Sequence, residues 1–544
     1  MLSHFFRDLL SLRWQRLTRR NLLTATGAAA AAHQLGTATF ATAAEGASLR
    51  IGPGLFESIG VRPLINCKGT FTIVTGSQSL PEVKQAMMEA SKHYVHLDEL
   101  MDAVGARLAA ITGAEWGIVT NGCAAALTHA TAACIAGTDP EKLQRVPDLT
   151  GLKNEVIAPR HSRNVYDHAI RMLGVKMITV DTPAEMEAAI NSRTAMVMVL
   201  ASPAADREPL STETVCRIAR QRNIPVIVDA AAEMLTIPNK HLKAGATMVA
   251  YSGGKCLRGP QAAGLLLGRK DVVQAAWLHS APHHAFGRSL KVGKEEIMGM
   301  LAAVETWVKR DYPAEFRTWE AWLAEMSKTV ESVPGVTTQV RQPDSLSNHA
   351  PSLTVRWDAA KIGITGRELE KYMYENEPRI VLGSASGEPG GSEPSTVGIM
   401  PYMMMPGQHK IVAERLRSLL ASPPKIARPA KPAGALANVD GQWKLTIQYS
   451  LGSAQHDLVF EQSGTKLAGT HRGGITAGEI RGAADGPEVQ FTSRHRHEGT
   501  MLLYAFTGKL ENGKLSGAVG MGEYGSAQWT AERFQYGAGG RRQG

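Results

Sequence analysis

The stretch Ser252-Gly-Gly-Lys-Cys-Leu-Arg-Gly-Pro-Gln261 follows the apolar run Thr247 to Tyr251 and places a lysine in a tight glycine-rich loop. The apolar run predicts a buried strand, so Lys255 lies just beyond a strand end. A partly desolvated ε-amine gives up its proton more readily than a solvated one, which suits a covalent bond to an aldehyde cofactor. Lys255 is therefore a candidate anchor for pyridoxal phosphate (PLP). For an isolated Gly-Gly-Lys, a lysine in a surface turn is the simpler interpretation.

A second strand ends in an acid one strand-helix-strand unit earlier. The run Ile224 to Asp229 is apolar and rich in β-branched residues until its last position. Ligands of open parallel sheets bind beyond the carboxyl ends of the strands, where Asp229 and Lys255 could converge. An aspartate beside the pyridine nitrogen of PLP keeps that nitrogen protonated and makes the ring an electron sink. The alternative role of Asp229 is the N-cap of a helix over the following Ala-Ala-Ala-Glu.

A phosphate cradle is indicated by the run Trp116 to Ala126, a short strand followed by small residues that open an alanine-rich helix. Free N–H groups and the dipole at a helix N-terminus favour a phosphate, and small side chains let it approach. Asn121, Gly122 and Cys123 are the candidate cradle. A glycine-rich helix start also occurs for packing reasons alone.

The region around these motifs alternates apolar runs with helical stretches, which predicts βαβ units and a mostly parallel sheet covered on both faces. The fold class predicted for it is α/β. The predicted strands are Glu155 to Ala158, Val175 to Val180, Thr194 to Ala201, Ile224 to Asp229, Thr247 to Ser252 and Ala263 to Leu267.

Residues from about 60 to 420 resemble the SelA-like family of fold-type I PLP enzymes. The motifs that carry the resemblance are Ile65-Asn66 with Gly69, Val119 to Ala126, Asp229, Ser252 to Gln261, and Gly287 to Glu296. The resemblance implies that Lys255 bonds the cofactor, that Asp229 faces the ring nitrogen, and that Ser252 belongs to the cofactor site. It also implies that Arg288 and Lys291 hold an anionic substrate or leaving group.

Two departures separate the chain from the selenium-transferase branch of that family. That branch has an acid immediately before the lysine, where Gly254 stands here, and an arginine where Lys291 stands. The ammonia-lyase-like branch fits better, and activity on an aminoacyl-tRNA becomes a weaker expectation.

Two further residues are candidates with open alternatives. Arg379 opens a short predicted strand from which fold-type I enzymes often reach a substrate carboxylate, and its guanidinium geometry suits that group. A surface pairing with Glu375 or Glu377 is equally consistent. His161, after a predicted strand, could stack on the pyridine ring or serve as a capping or surface histidine.

The rest of the chain is predicted to form further modules. A long helical region with Trp307, Trp319 and Trp322 follows Glu296 and leads into a small α+β domain, which the Gly/Ser/Pro-rich loop 383–395 interrupts as a lid or a surface excursion. A Pro/Ala-rich linker then precedes an all-β module broken by Asp-Gly and Asn-Gly turns, read as a small barrel filled by Trp443, Phe491 and Trp529. The predicted divisions are a signal at 1–43, a PLP-binding large domain with an N-terminal arm at 44–295, a helical connection and small domain at 296–421, a linker at 422–437 and the β-module at 438–544.

The pattern of the N-terminal residues predicts an export signal. Arg19-Arg20 is followed by an uncharged alanine-rich stretch and then Ala41-Thr42-Ala43, the order of a twin-arginine signal. Export of a folded holoprotein to the periplasm or exterior is therefore expected, with a disordered basic N-terminus or a misassigned start as the alternative. Residues 1–20 hold five arginines and one aspartate, so about +5 of the formal net charge of +9 remains for the rest, too little for a nucleic-acid surface.

Composition excludes several other classes. A chain of 544 residues with 44% hydrophobic content is globular, and no later apolar run is long enough to span a bilayer. The five cysteines show neither disulfide nor metal-ligand spacing, and Cys256 beside the lysine is read as a packed small residue rather than a nucleophile. His495 and His497 could bind metal, but exposed strand polarity is the simpler interpretation, so no metal site is predicted.

These observations predict an exported PLP enzyme in which released Lys255 removes the substrate Cα proton while a β-substituent leaves. The expected reaction is α,β-elimination or deamination of an amino acid or amino sugar acid, with a selenium-transferase-like reaction or non-catalytic PLP binding as alternatives. A homodimer or larger homo-oligomer is expected, because fold-type I enzymes usually share the active site between subunits.

Overall fold

The structure is a computed structural model that describes residues 48–388, 391, 393–426 and 434–534. The proposed signal, and residues 427–433 of the predicted linker, lie outside the described residues. Of the described residues, those from 64 to 426 together with 496–501 form one compact unit, and 48–63, 434–495 and 502–534 form the other.

The first unit alternates strands and helices along most of its length. Its strands are β1 Ile65–Cys67, β2 Trp116–Asn121, β3 Glu155–Pro159, β4 Lys176–Val180, β5 Thr194–Leu200, β6 Val226–Asp229, β7 Met248–Ser252, β8 Ala263–Gly268, β9 Val336–Arg341, β10 Ser352–Trp357, β11 Ile380–Leu382, β12 Ser384–Ser386 and β13 Ser395–Ile399. Its helices are α1 Pro81–Ser91, α2 Leu97–Thr112, α3 Gly122–Ala136, α4 Pro140–Arg145, α5 His168–Arg171, α6 Pro183–Ala189, α7 Thr212–Gln221, α8 Lys240–Lys243, α9 Lys270–Leu278, α10 Lys294–Trp307, α11 Tyr312–Val330, α12 Ala359–Ile362, α13 Gly366–Glu375 and α14 Gln408–Ala421.

A seven-stranded sheet in the order β2-β8-β7-β6-β5-β3-β4 forms the centre of this unit. The strands from β7 to β4 are parallel to their neighbours, whereas β8 is antiparallel to both β7 and β2. Two antiparallel steps restore the direction, so β2 points the same way as β6 and β7. The carboxyl ends of these three strands, at Asn121, Asp229 and Ser252, therefore lie at one edge of the sheet. The predicted mostly parallel sheet is confirmed.

The six apolar runs predicted as strands all form strands of this sheet, because residues that are apolar on both faces are stable where helices cover both sides. Their ends differ from the predicted ones by a residue or two. In β6, ladder pairing starts at Val226 rather than Ile224, since Pro225 has no N–H to donate and contributes its carbonyl to Val197 instead.

A second, smaller sheet in the order β12-β13-β10-β9 is antiparallel and has its own core with α11, α13 and α14. The parallel pair β1–β11 adds Ile65 and Cys67 to this core. These residues come from the segment that the sequence assigned to the N-terminal arm of the large domain. Within the predicted loop 383–395, β12 pairs with β13; residues 389, 390 and 392 are outside the description.

A closed antiparallel barrel spans residues 441–533, which confirms the predicted all-β module. Its strands are β14 Gly441–Gln448, β15 Ser453–Ser463, β16 Lys466–Arg472, β17 Ala477–Asp485, β18 Glu488–His497, β19 Thr500–Glu511, β20 Lys514–Gly520 and β21 Ser526–Arg533. Trp443, Phe491 and Trp529 are buried inside it, as predicted. Asn512 and Gly513, with φ of 51° and 76°, make the tight β19–β20 turn that an Asn-Gly pair favours.

The interpretation of His495 as exposed strand polarity is wrong. His495 is fully buried on the inward face of β18 and joins a cluster with His456 and His471. Inward and outward positions alternate along a strand, so the register of the closed barrel decides which face a histidine takes. In the described residues, no group of three or more His, Cys, Asp or Glu side chains is arranged to hold a metal ion.

All five cysteines are free thiols. Among the described helices, none has both the length and the apolar character needed to cross a membrane.

Candidate functional site

Lys255 lies in a loop that doubles back immediately after β7. The Gly253 N–H donates to the Ala263 carbonyl at 2.8 Å, and the Gly259 N–H donates to the Gly253 carbonyl at 2.8 Å. A Cβ atom on Gly254 would lie 2.7 Å from the Cα of Gln261, so the crossing of the two loop arms requires glycine there. The loop thus holds the half-buried Lys255 at the carboxyl edge of the central sheet.

Asp229 ends β6 and is 2% exposed. Its Oδ1 accepts hydrogen bonds from the Ala231 N–H at 3.1 Å and from the Cys123 thiol at 3.6 Å. Burial raises the pKa of the Asp229 carboxyl, whereas the Ala231 N–H and the nearby positive charge of Lys255 oppose that rise. Lys255 and Asp229 therefore belong to one electrostatic site. The residues after Asp229 form a turn rather than a helix, so the N-cap alternative is wrong.

The helix α3 begins beside this pair. Gly122 has a φ of +73°, which favours glycine, and a Cβ on Gly264 of the neighbouring β8 would overlap the Gly122 backbone. Within the described residues, no side chain caps the N-terminus of α3. Uncapped N–H groups at a helix N-terminus are suited to a phosphate. The backbone of Gly122 and Cys123 can therefore serve as the predicted cradle.

Cys123 has a second contact that the sequence did not indicate. Burial raises the pKa of the Cys123 thiol well above its ordinary value, and the charge of Asp229 raises it further. The thiol therefore keeps its proton and can donate it to the Asp229 carboxylate. Cys123 links the cradle to the buried acid.

A lysine amine, a buried carboxylate and an uncapped helix N-terminus at one sheet edge fit the aldehyde, the ring nitrogen and the phosphate of PLP. Ser252 ends β7 at the same edge, half-buried, and its N–H donates to the Ala231 carbonyl at 3.4 Å. The geometry thus brings Ser252, Asp229, Lys255 and the cradle together.

Tyr166 is a site residue that the sequence analysis missed. The Nζ of Lys255 lies 5.9 Å from the centre of the Tyr166 ring, at the distance of a cation–π contact. Tyr166 follows Asn164 in a short 3₁₀ turn, Val165–Asp167, closed by an Asn164–Asp167 capping box. An Asx residue three positions before an acid is the local signal that could have indicated this turn.

His161 lies nearby in a separate turn, Arg160–Ser162. Its Nε2 contacts the Leu210 carbonyl at 3.2 Å and its Nδ1 contacts the Ser162 hydroxyl at 3.2 Å. Both ring nitrogens are thus occupied by neighbours in the fold. The described contacts of Lys255 involve Tyr166 rather than His161, and stacking of His161 on the cofactor ring stays a prediction.

The candidate substrate residues fall into two groups. Arg288 and Lys291 are exposed, and the carbonyl of Lys291 accepts a hydrogen bond from the Asn121 side chain at 3.1 Å, which ties this segment to the cradle. The Arg379 side chain instead contacts Tyr374: its Nε donates to the Tyr374 carbonyl at 3.2 Å, and its guanidinium lies 4.1 Å from the ring centre. The contacts described for Arg379 do not lead to Lys255.

Cys256 is packed beneath the lysine loop, as the sequence analysis preferred. Its thiol donates to the Glu233 carbonyl at 2.8 Å, and burial raises its pKa to about 12. A thiol that is buried and protonated at neutral pH is a poor nucleophile.

Comparisons with known proteins bear on the family of the chain. The family model described as aminotransferase class-V matches residues 88–287. The chain is 27% identical over 377 residues to the D-glucosaminate-6-phosphate ammonia lyase of Salmonella typhimurium, covering 68% of this chain and 98% of that one. It is 30% identical over 380 residues to a Streptomyces 5'-C-glycyluridine monooxygenase-decarboxylase, covering 67% of this chain and 92% of that one.

Two further comparisons bear on the fold and on the family. The solved structure of a D-glucosaminate-6-phosphate ammonia-lyase superposes with a TM-score of 0.60 at 27% identity, covering 68% of this chain and 99% of that chain. The L-seryl-tRNA(Sec) selenium transferase of Proteus mirabilis is 22% identical over 284 residues, covering 46% of this chain and 58% of that protein.

Proposed function

Because the chain belongs to the SelA-like family of fold-type I PLP-dependent enzymes, we propose that it is a lyase that removes a β-substituent and ammonia from an amino acid or amino sugar acid. The observation that carries the proposal is the convergence of Lys255, the buried Asp229 and the α3 N-terminus at one sheet edge. The similarity to an ammonia lyase over nearly its whole length supports the reaction class.

Each residue of the site has a defined task in this reaction. When bound, PLP withdraws electrons from the substrate Cα. The Asp229 carboxylate would hold a proton on the ring nitrogen, and the N–H groups of Gly122 and Cys123 would bind the phosphate. The Lys255 amine would accept the proton from the substrate Cα. Arg288 and Lys291 bind the anionic end of the substrate beside the cradle.

A second candidate function is an oxygen-dependent decarboxylation of an amino acid. The observation in its favour is the 30% identity to a monooxygenase-decarboxylase, which is higher than the identity to the ammonia lyase. Both reactions would use the same lysine and the same buried acid. They differ in the bond that is broken at Cα. Elimination breaks the Cα–H bond and releases a proton, whereas decarboxylation breaks the bond to the carboxylate carbon and releases carbon dioxide.

The decisive experiment incubates the purified PLP-loaded protein with a panel of amino acids and amino sugar acids, phosphorylated and unphosphorylated. Ammonia, keto acids, oxygen uptake and carbon dioxide are measured together. The proposal expects ammonia and a keto acid in equal amounts without oxygen uptake. Oxygen uptake with carbon dioxide release would establish the second candidate. Binding of PLP without turnover of any substrate would favour a non-catalytic role. Activity on seryl-tRNA would favour a transferase.

The matched control is Lys255→Ala, which we expect to reduce turnover to background and to leave no borohydride-stable adduct on the peptide that spans residue 255. An adduct on another lysine in the wild-type protein would contradict the site assignment. We also propose that the protein forms a homo-oligomer. Measurement of its native mass in solution tests this proposal.

A further inference from the structure

The loop that carries Tyr166 over Lys255 is held in place by a network of charges. The Asn164 side chain accepts a hydrogen bond from the Tyr166 N–H at 2.7 Å, and Asp167 accepts one from the Asn164 N–H at 3.3 Å. The Asp167 side chain is 1% exposed. The orientation of Tyr166 therefore depends on where the Asp167 carboxylate is held.

Arg163 holds that carboxylate from within the fold. The Arg163 side chain is 8% exposed, and its Nε lies 2.5 Å from Oδ2 of Asp167. Its Nη1 donates to the Thr179 hydroxyl, and its Nη2 forms an ion pair with Glu498. One buried guanidinium thus bridges a carboxylate of the Tyr166 loop and a carboxylate more than 300 residues later in the chain. Loss of one member of such a network leaves the remaining charges poorly compensated.

The segment 496–501 that supplies Glu498 belongs to the same compact unit as the PLP site. Glu498 has a φ of +51°, a conformation that residues other than glycine seldom adopt. The next residue, Gly499, packs directly on the Asn164 backbone, and a Cβ there would overlap the Asn164 carbonyl. Unusual backbone conformations persist where the surroundings enforce them, and they cluster at functional sites.

We propose that Glu498 is a positioning residue of the active site, which acts through Arg163 and Asp167 to fix the loop that holds Tyr166 over Lys255. The role goes beyond the lyase reaction, since it concerns the PLP site itself and does not depend on which substrate bond is cleaved. It gives the 496–501 segment a part in cofactor binding.

The test compares Glu498→Gln and Glu498→Asp with the wild-type protein. Glu498→Gln removes the charge and keeps the shape, and we expect it to weaken PLP binding roughly fivefold and to shift the pH midpoint of the absorption of bound PLP. Glu498→Asp keeps the charge, and its PLP affinity and pH midpoint should lie between those of Glu498→Gln and the wild-type protein. These measurements need no substrate, so they stand even if the proposed lyase activity is absent.

The matched control is Glu479→Gln, which breaks an exposed ion pair with Arg481 of 3.1 Å on the surface of β17. It should leave PLP affinity and absorption unchanged. The melting temperature and circular dichroism of every variant separate misfolding from a local effect, and the double variant with Arg163→Gln should show less than additive loss. The proposal is overturned if Glu498→Gln matches Glu479→Gln in PLP affinity and in the pH midpoint, or if its losses follow its melting temperature alone.

Discussion

At the scale of single residues, the site depends on the protonation of two buried groups, the Asp229 carboxyl and the Cys123 thiol. Asp229 is surrounded by protein and receives two donors on one oxygen, the Ala231 N–H and the Cys123 thiol. A buried carboxylate with a raised pKa can still remain ionised when a positive charge lies nearby, and the charge of Lys255 acts on Asp229 in that direction.

Replacement of this carboxylate tests its role. We expect Asp229→Asn to weaken PLP binding by roughly 10- to 100-fold, since a hydrogen bond to a charged group contributes about 1.5–3 kcal/mol. Titration of the apoprotein with PLP, followed by absorption, measures the change. Asp271→Asn, at an exposed aspartate paired with Arg269, is the control. Equal PLP affinity in Asp229→Asn and the wild-type protein would show that Asp229 does not face the cofactor.

At the scale of elements, the sequence predicts what local patterns determine. The β6 and β7 strands were predictable because each is an apolar run that ends at a polar residue. Tyr166 was missed because its turn is held by Arg163, whose partners include Thr179 and Glu498 from later parts of the chain. The β1–β11 pair joins residues about 300 positions apart, and no local pattern encodes such a pairing.

The barrel histidines give a prediction at this scale. The fully buried His471 contacts His456 at 2.8 Å, Ser493 at 2.6 Å and His495 at 3.0 Å, and the Tyr504 ring packs against it. Burial first, and then the two neighbouring histidines, lower the pKa of His471 to about 2, and burial also lowers the pKa values of His456 and His495. A histidine with a lowered pKa stays neutral in the folded barrel but gains a proton when the barrel unfolds.

The contribution of His471 to stability is therefore complete above its unfolded pKa of about 6.5 and is lost as the pH falls toward 2, by about 1.4 kcal/mol per pH unit for one proton. Hydrogen exchange of peptides from 441–533, corrected for the intrinsic effect of pH, should show protection that decreases from pH 6 to pH 4. His471→Leu should reduce this dependence, whereas His93→Leu, at an exposed histidine, should retain it. Protection that does not vary with pH in the wild-type protein would contradict the assignment.

At the scale of the whole molecule, the charge is distributed unevenly along the chain. The first 20 residues carry a net +4, so nearly half of the formal +9 belongs to fewer than a twentieth of the residues. This concentration includes Arg19-Arg20 and precedes an uncharged alanine-rich stretch. A twin-arginine signal is an address read by a receptor that exports folded proteins. Such a route suits an enzyme whose cofactor must be bound before export.

We therefore propose that the protein is exported as a folded holoprotein through the twin-arginine pathway. Replacement of Arg19 and Arg20 by lysine preserves the charge but removes the paired guanidinium groups, and we expect the variant to remain in the cytoplasm with PLP bound, while the wild-type protein reaches the periplasm or the medium. The same replacement at Arg13 and Arg16 is the matched control and should not impair export. Cell fractionation with a cytoplasmic marker, followed by the PLP content of each fraction, measures both. Equal export of the two double variants, or exported protein that lacks PLP, would contradict the proposal, because the receptor would then not read Arg19-Arg20 or the protein would not leave the cytoplasm as a holoprotein.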